Sequence, residues 1–299
     1  MQARTASAQA SGKVAIEGTE LGYLVEGTGT PCLAVGSTIL WPPTFSQELR
    51  KHLKLIFADT RFIRPPQDPS EHEDLTLDIL LNDIDQVRRG ARIDRVVVLG
   101  HSALGILALE YARKYPQHAT HVVMIGTPPY PLVEFDGPNI DFVAEAKDFW
   151  EADASDERKR ILEGNQADLT EERLSETPPG KAFGVWYLAH APMVWFDATY
   201  DASWLFEPIE FDSPTFNHFL GVILKDYDIS RTLGQVEAPM FLALGRYDYL
   251  VPHILWSTPR DGVADLTYHL FERSGHYPMM EESDLFDSKL RAWVESTDV

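Results

Sequence analysis

Short, almost wholly apolar runs recur along this chain, with amphipathic segments between them. "PCLAVG" (31–36), "LKLIFAD" (53–59), "RVVVLG" (95–100), "HVVMIG" (121–126) and "PMFLALG" (239–245) have the length and β-branched content of strands. None alternates apolar with polar residues, so each is expected to be buried on both faces. The segment "LTLDILLNDIDQVRRG" (75–90) instead places Leu77, Leu80, Leu81, Ile84 and Val87 at helical spacing, and Gly90 stops it. A further helix is expected through "TFSQELRKHL". "KVAIE" and "LGYLVEG", joined by "GTE", read as a leading hairpin. Strands alternating with helices predict an α/β fold: one mostly parallel central sheet flanked by helices on both faces.

After "HVVMIG" the rhythm breaks. "TPPYP" cannot continue a helix, and about a hundred residues pass before the next buried strand. Within them "SDERKRILEGN" reads as a helix with Ser155 as N-cap, acids in its first turn and Gly164 after its last turn. Alternation resumes at "PMFLALG", continues in "DLTYHLF" and ends in the helix "EESDLFDSKLRAWVES", with Phe286, Leu290 and Trp293 as its inward stripe. The expected organisation is a leader over 1–12, a core formed by 13–127 and 231–299, and an inserted helical cap over 128–230.

Charge narrows the partners. The net charge is −20, and residues 128–230 carry 21 acidic against 7 basic side chains. Such a surface repels nucleic acid and anionic membranes, so neither is expected as a partner. No window reaches the roughly eighteen uninterrupted apolar residues of a membrane span. "MQARTASAQASG" ends in a cleavage-like A-Q-A but lacks the apolar stretch of a signal peptide. The single cysteine, Cys32, lies in an apolar run and is expected to be a buried, inert thiol. A cytoplasmic location is expected from these features.

The chemistry concentrates at strand ends. In "VVVLGHSALGILALEYARKYP" (96–116), Ser102 sits at the joint between a buried strand and a helix. A serine hydroxyl is a weak nucleophile that needs a base and a group to orient the base. Later strand ends supply one of each: Asp248 in "FLALGRYDYLVP" and His276 in "LFERSGHYPMMEE". Open α/β sheets gather their ligands at these carboxyl ends. A serine at such a joint is otherwise a helix cap, Asp248 a turn former and His276 a loop histidine. His101 is expected to be structural, because adjacent side chains diverge at a turn.

The order Ser102, Asp248, His276 resembles the α/β-hydrolase superfamily, and in particular its proline-iminopeptidase-like branch with a helical cap. "LGHSALG" is similar to its nucleophile elbow, "GRYDYLVP" to its acid loop and "SGHYPMMEESDLFDSKLRAWV" to its histidine loop and final helix. The resemblance spans residues 13–296. It implies a catalytic triad, an acyl-enzyme and no cofactor. The oxyanion would be held by the backbone N–H of Ala103 and, from the loop after "PCLAVG", by that of Ser37. No metal pattern is present.

Two departures stand out. The elbow motif G-x-S-x-G has its second glycine displaced to Gly105, with Leu104 in its place, and Phe62 in "DTRF" replaces the glycine of D-x-R-G.

The segment "FGVWYLAHAPMVWFDATYDASWLF" (183–206) is rich in aromatic residues. Most are expected to glue the cap to the core, with Trp186, Trp195 or Trp204 lining an apolar pocket. Asp197, Asp201 or Glu207 could pair with a substrate amine, as a cap carboxylate does in iminopeptidases. Three functions stay open: hydrolysis of a carboxylic ester or lactone with an apolar group, removal of an N-terminal residue from a short peptide, and a non-hydrolytic lyase or ligand receptor. The absence of an "HGGPG"-type loop counts against the second. Oligomeric state is not legible.

Overall fold

The computed structural model describes residues 10–63, 74–131, 141–261, 263 and 265–297. Eight strands form one sheet in the order β1-β2-β4-β3-β5-β6-β7-β8. They are β1 (Ala10–Ile16), β2 (Thr19–Glu26), β3 (Thr30–Gly36), β4 (Leu53–Asp59), β5 (Val96–His101), β6 (Ala119–Ile125), β7 (Met240–Gly245) and β8 (Leu266–Phe271). β1 and β2 pair antiparallel, β2 runs antiparallel to β4, and every pair from β4 to β8 is parallel. β5 and β7 are buried at every residue, as strands covered by helices on both faces must be.

The helices beside the sheet follow from their ends. α1 (Leu77–Gly90) starts where Thr76 accepts the N–H of Ile79, carries Arg88 and Arg89 in its last turn, and buries Leu80, Leu81, Ile84 and Val87. α2 (Leu104–Lys114) follows Ser102 directly. Near the C-terminus come α11 (Pro278–Glu281) and α12 (Ser283–Ser296), the latter burying Phe286, Leu290 and Trp293. Among the described residues no helix is long and apolar enough to cross a membrane.

Three expectations need correction. The leader expected over 1–12 overlaps the sheet, because β1 begins at Ala10, paired with Val25; residues 1–9 lie outside the described residues. The helix expected through "TFSQELRKHL" is instead two 3₁₀ turns, Pro42–Thr44 and Leu49–Lys51. The buried Arg50 guanidinium, paired with Glu26, takes the carbonyls of Pro42, Phe45 and Ser46. An α-helix needs those carbonyls for its own ladder. Gly164 does not end its helix, which runs over Asp156–Ala167 from the Ser155 N-cap. A solvent-facing glycine in a helix interior costs only about 1 kcal/mol.

Between β6 and β7 the chain leaves the sheet. Its described residues there form α3 (Phe142–Asp153), α4 (Asp156–Ala167), α5 (Glu171–Glu176), α6 (Ala182–Ala189), α7 (Ala191–Val194), α8 (Ser203–Phe206) and α9 (Ser213–His218). A π-helical turn, Phe219–Ile223, follows, and α10 (Ser230–Leu233) returns the chain to the sheet. At that return Thr232 donates its hydroxyl to the buried Glu110 of α2.

α12 is tied to the loop after β3 by Asp287, whose carboxylate accepts the Ser46 hydroxyl. Burial pushes the Asp287 carboxyl up to about 6, against the downward pull of that hydrogen bond. Between the ordinary aspartate value of about 4 and that raised value, the folded chain keeps a proton the unfolded chain has released. The group's contribution to stability is therefore full below about pH 4 and is lost as pH rises towards 6. Asp287→Asn is expected to remove this decline: its urea midpoint, relative to the natural protein, should climb between those pH values and level off above them.

Candidate active site

Ser102 occupies the tight joint between β5 and α2 with φ of 55°, in the left-handed region that non-glycine residues avoid. Its N–H donates to the Ile125 carbonyl at 2.8 Å, and its own carbonyl accepts the Gly105 N–H at 2.9 Å. Two glycines make room for the reversal. A Cβ on Gly100 would lie 2.1 Å from the Leu104 carbonyl oxygen, and one on Gly105 would lie 1.9 Å from Thr127 Oγ1. The displaced glycine thereby has its reason: the close approach of α2 to the end of β6 falls on position 105. Leu104 faces the other way, into a cavity.

Asp248 and His276 meet beneath the same sheet edge. The Asp248 carboxylate, fully buried, accepts the N–H groups of Leu250 (3.0 Å) and Val251 (2.8 Å) on Oδ1, while Oδ2 lies 2.6 Å from His276 Nδ1. His276 is fully buried, and its Nε2 has no hydrogen-bond partner among the described residues. His101 joins this pair to Ser102. Its ring packs on that of His276 with centroids 4.4 Å apart, and its Nε2 stands 2.8 Å from the His276 carbonyl. A carbonyl only accepts, so His101 carries its proton on Nε2. Burial, followed by the proximity of His276, holds the His101 imidazole well below its ordinary pKa, so the ring is neutral.

The loop after β3 is tied by hydrogen bonds to its own side chains and to β4. The Ser37 hydroxyl accepts the N–H groups of Ile39 and Leu40 at 3.0 and 2.9 Å, and Asp59 accepts the Thr38 N–H at 2.6 Å. Burial raises the Asp59 carboxyl, with the Thr38 bonds pulling the other way.

Ser102, His101, Ala103 and Leu104 open onto a cavity of about 320 Å³. Trp41, Phe62, Phe183, Trp186, Tyr187 and Tyr277 make much of its wall, and none of its described lining residues is a carboxylate, lysine or arginine. Phe62 stacks on Phe219 with centroids 5.2 Å apart, filling volume that a glycine at position 62 would leave open.

Of the cap residues singled out from sequence, Trp186 alone lines this cavity. Trp195 is buried between Tyr200 and Tyr277, at 4.8 and 4.6 Å between ring centroids. Trp204 is 44% exposed and donates its indole N–H to the Tyr200 hydroxyl. The three acids serve elsewhere. Asp197 accepts the N–H and hydroxyl of Thr199, Asp201 accepts the N–H of Ser203, and both carboxyls are held below the ordinary range by these bonds. Glu207 is exposed beyond α8. Short-range turn bonds thus claim two of the side chains that composition had offered for recognition.

Sequence reading missed Tyr187 and Tyr277, which carry no periodic signal, and Glu281, five residues past His276. Glu281 accepts the N–H groups of Phe196 and Gly275, and burial pushes its carboxyl up to about 7. Among the described residues no cluster of three His, Cys, Asp or Glu side chains is arranged to hold a metal ion.

The pattern that defines the alpha/beta hydrolase fold matches residues 35–283. The chain belongs to the α/β-hydrolase family. It is a hydrolase of that family, with proline-iminopeptidase-like relatives. The AB hydrolase superfamily protein YclE of Bacillus subtilis (strain 168) is 32% identical over 284 residues, covering 93% of this chain and 96% of that one. A proline iminopeptidase of Saccharolobus solfataricus is 23% identical over 252 residues, covering 81% and 76%. In structure, a thermophilic esterase from Thermogutta terrifontis superposes with a TM-score of 0.65 at 20% identity, over 96% of this chain and 98% of that one, which speaks for the fold alone.

The elbow hydrolase geometry has a measurable cost. Gly105→Ala is expected to destabilise the protein by about 1–3 kcal/mol through overpacking against Thr127, read as a lower urea midpoint with an unchanged slope.

Proposed function

We propose that this α/β-hydrolase cleaves a carboxylic ester or lactone with an apolar group through Ser102, His276 and Asp248. What supports the reading is a left-handed Ser102 on the wall of an uncharged aromatic cavity, whose neighbour His101 packs on the ring of the buried His276 that Asp248 holds. In this mechanism His276 Nε2 takes the Ser102 proton as Oγ attacks the carbonyl. Asp248, bonded to Nδ1, holds the tautomer that leaves Nε2 free to accept and steadies the imidazolium that forms. His276 then returns the proton to the leaving alkoxide. A water molecule, deprotonated by the same nitrogen, releases the acyl group from Ser102.

The developing oxyanion calls for preorganised N–H donors. Ala103 offers one at the start of α2, where the helix dipole helps. In the loop after β3 the amides of Thr38, Ile39 and Leu40 are engaged by Asp59 and Ser37 Oγ. That engagement favours the Ser37 amide as the second donor. No cofactor enters this chemistry, and the substrate is a small molecule.

A second reading, release of an N-terminal residue from a short peptide, is favoured by the relatives named as proline iminopeptidases. It needs a carboxylate to meet the substrate amine, and the described lining of the cavity supplies none. Burying an unpaired ammonium there is costly.

Ser102→Ala is expected to abolish hydrolysis of a short-chain p-nitrophenyl ester with the fold intact by circular dichroism. His276→Ala should do nearly the same, and Asp248→Asn should lower the rate by roughly four orders of magnitude. Wild-type turnover by Ser102→Ala would exclude the nucleophile. Hydrolysis of a prolyl-naphthylamide faster than of the ester would instead favour the aminopeptidase.

A further inference from the structure

His276 sits in a loop whose N–H groups at Gly275, His276 and Tyr277 face one carboxylate and one strap of the cap, while its carbonyls at Ser274 and His276 meet the Tyr247 N–H and His101 Nε2. Glu281, the last residue of α11, reaches back over the loop. Its Oε2 accepts the N–H of Gly275 at 2.8 Å and faces the N–H of Tyr277 at 3.4 Å, so it grips the residues on either side of His276. The His276 N–H itself donates to the Val194 carbonyl at 2.6 Å. Val194 belongs to the cap, as does Phe196, whose N–H donates to the other Glu281 oxygen, also at 2.6 Å. The contact is close: a Cβ on Gly275 would lie 2.1 Å from the Val194 carbonyl oxygen.

The far side of the strap is held as firmly. Arg158, buried in the first turn of α4, donates to the carbonyls of Pro192 (2.5 Å), Trp195 (2.8 Å) and Phe196 (2.6 Å). Its guanidinium also lies over the Tyr247 and Tyr249 rings, which flank Asp248 in sequence. Strap carbonyls thus meet the Arg158 cation, and a strap amide meets a Glu281 carboxyl oxygen. Charge-assisted bonds of this kind are about twice as strong as neutral ones. Trp195, in the middle of the strap, stacks on Tyr277 with ring centroids 4.6 Å apart.

We propose that Glu281 is a positioning residue, which with Arg158 makes residues 192–196 of the cap a fixed brace for the backbone of His276. The inference rests on the reading of His276 as the base. In the brace, Glu281 touches no reacting atom; it sets where the imidazole stands relative to Ser102. Displacement of a catalytic group by an ångström can cost about 100-fold in rate, whereas substrate binding, which depends on the cavity wall, should change little.

A fluorophosphonate probe tests this without knowledge of the natural substrate. Labelling forms a bond from Ser102 Oγ to phosphorus and breaks the phosphorus–fluorine bond, with the serine proton passing to His276 and fluoride leaving. Glu281→Gln keeps the size of the side chain and places an amide donor where an acceptor stood. Its maximal labelling rate is expected to fall by roughly 10- to 100-fold, with the half-saturating probe concentration little changed and the melting temperature within a few degrees. Arg158→Lys, which cannot span all three carbonyls, should show the same split from the cap side, and it decides the matter if Glu281→Gln does not fold. An unchanged maximal rate in Glu281→Gln overturns the proposal. A slow Glu281→Gln beside a normal Arg158→Lys overturns the brace through the cap. Labelling of Ser102→Ala at the natural rate would instead sink the underlying reading of the triad.

Discussion

Ser102 holds a left-handed backbone only because the chain on either side of it can pass close to its neighbours. Gly100 lets the start of α2 fold back over β5, and Gly105 lets the same helix sink onto Thr127 at the end of β6. The strain of about 1–3 kcal/mol that such a conformation carries is held by packing between fully buried strands. Everything else at the site takes its position from that joint. The helix N-terminus beside Ala103, the cavity under Leu104 and the contact of His101 with His276 all follow from where the elbow puts them.

The cap and the cavity differ sharply in electrostatic character. The inserted segment is strongly acidic, yet the described wall facing Ser102 is aromatic and uncharged. Local bonds explain the separation. Asp197 and Asp201 cap short turns, and Asp153 pairs with Arg246 and accepts the Tyr249 hydroxyl. Acids that satisfy backbone donors or cations at the surface need not enter an apolar pocket, where desolvation would penalise them.

Much of this was legible in the sequence because it depends on short-range pattern. Two-sided apolar runs forecast the parallel strands, the helical spacing of Leu80, Ile84 and Val87 forecast α1, and strand-end placement singled out Ser102, Asp248 and His276. What escaped depends on partners distant along the chain. Arg50 draws carbonyls out of a segment with helical composition, a choice visible only once Glu26 is beside it. Trp195 and Trp204 look equivalent in sequence, yet one is buried on Tyr277 and the other meets solvent. Tyr187, next to Trp186 in sequence, and Glu281 gain their places from tertiary contacts that no periodicity announces.

The His276 N–H is bonded to the Val194 carbonyl at the end of α7, and the Phe196 N–H to the Glu281 side chain, which limits how the molecule can move. A cap joined there cannot swing away as a rigid door, since that motion would carry the imidazole with it. A second tie stands at the cavity wall, where the Asp212 N–H donates to the Phe62 carbonyl at 2.8 Å, so the inserted segment is bonded to the core on both sides.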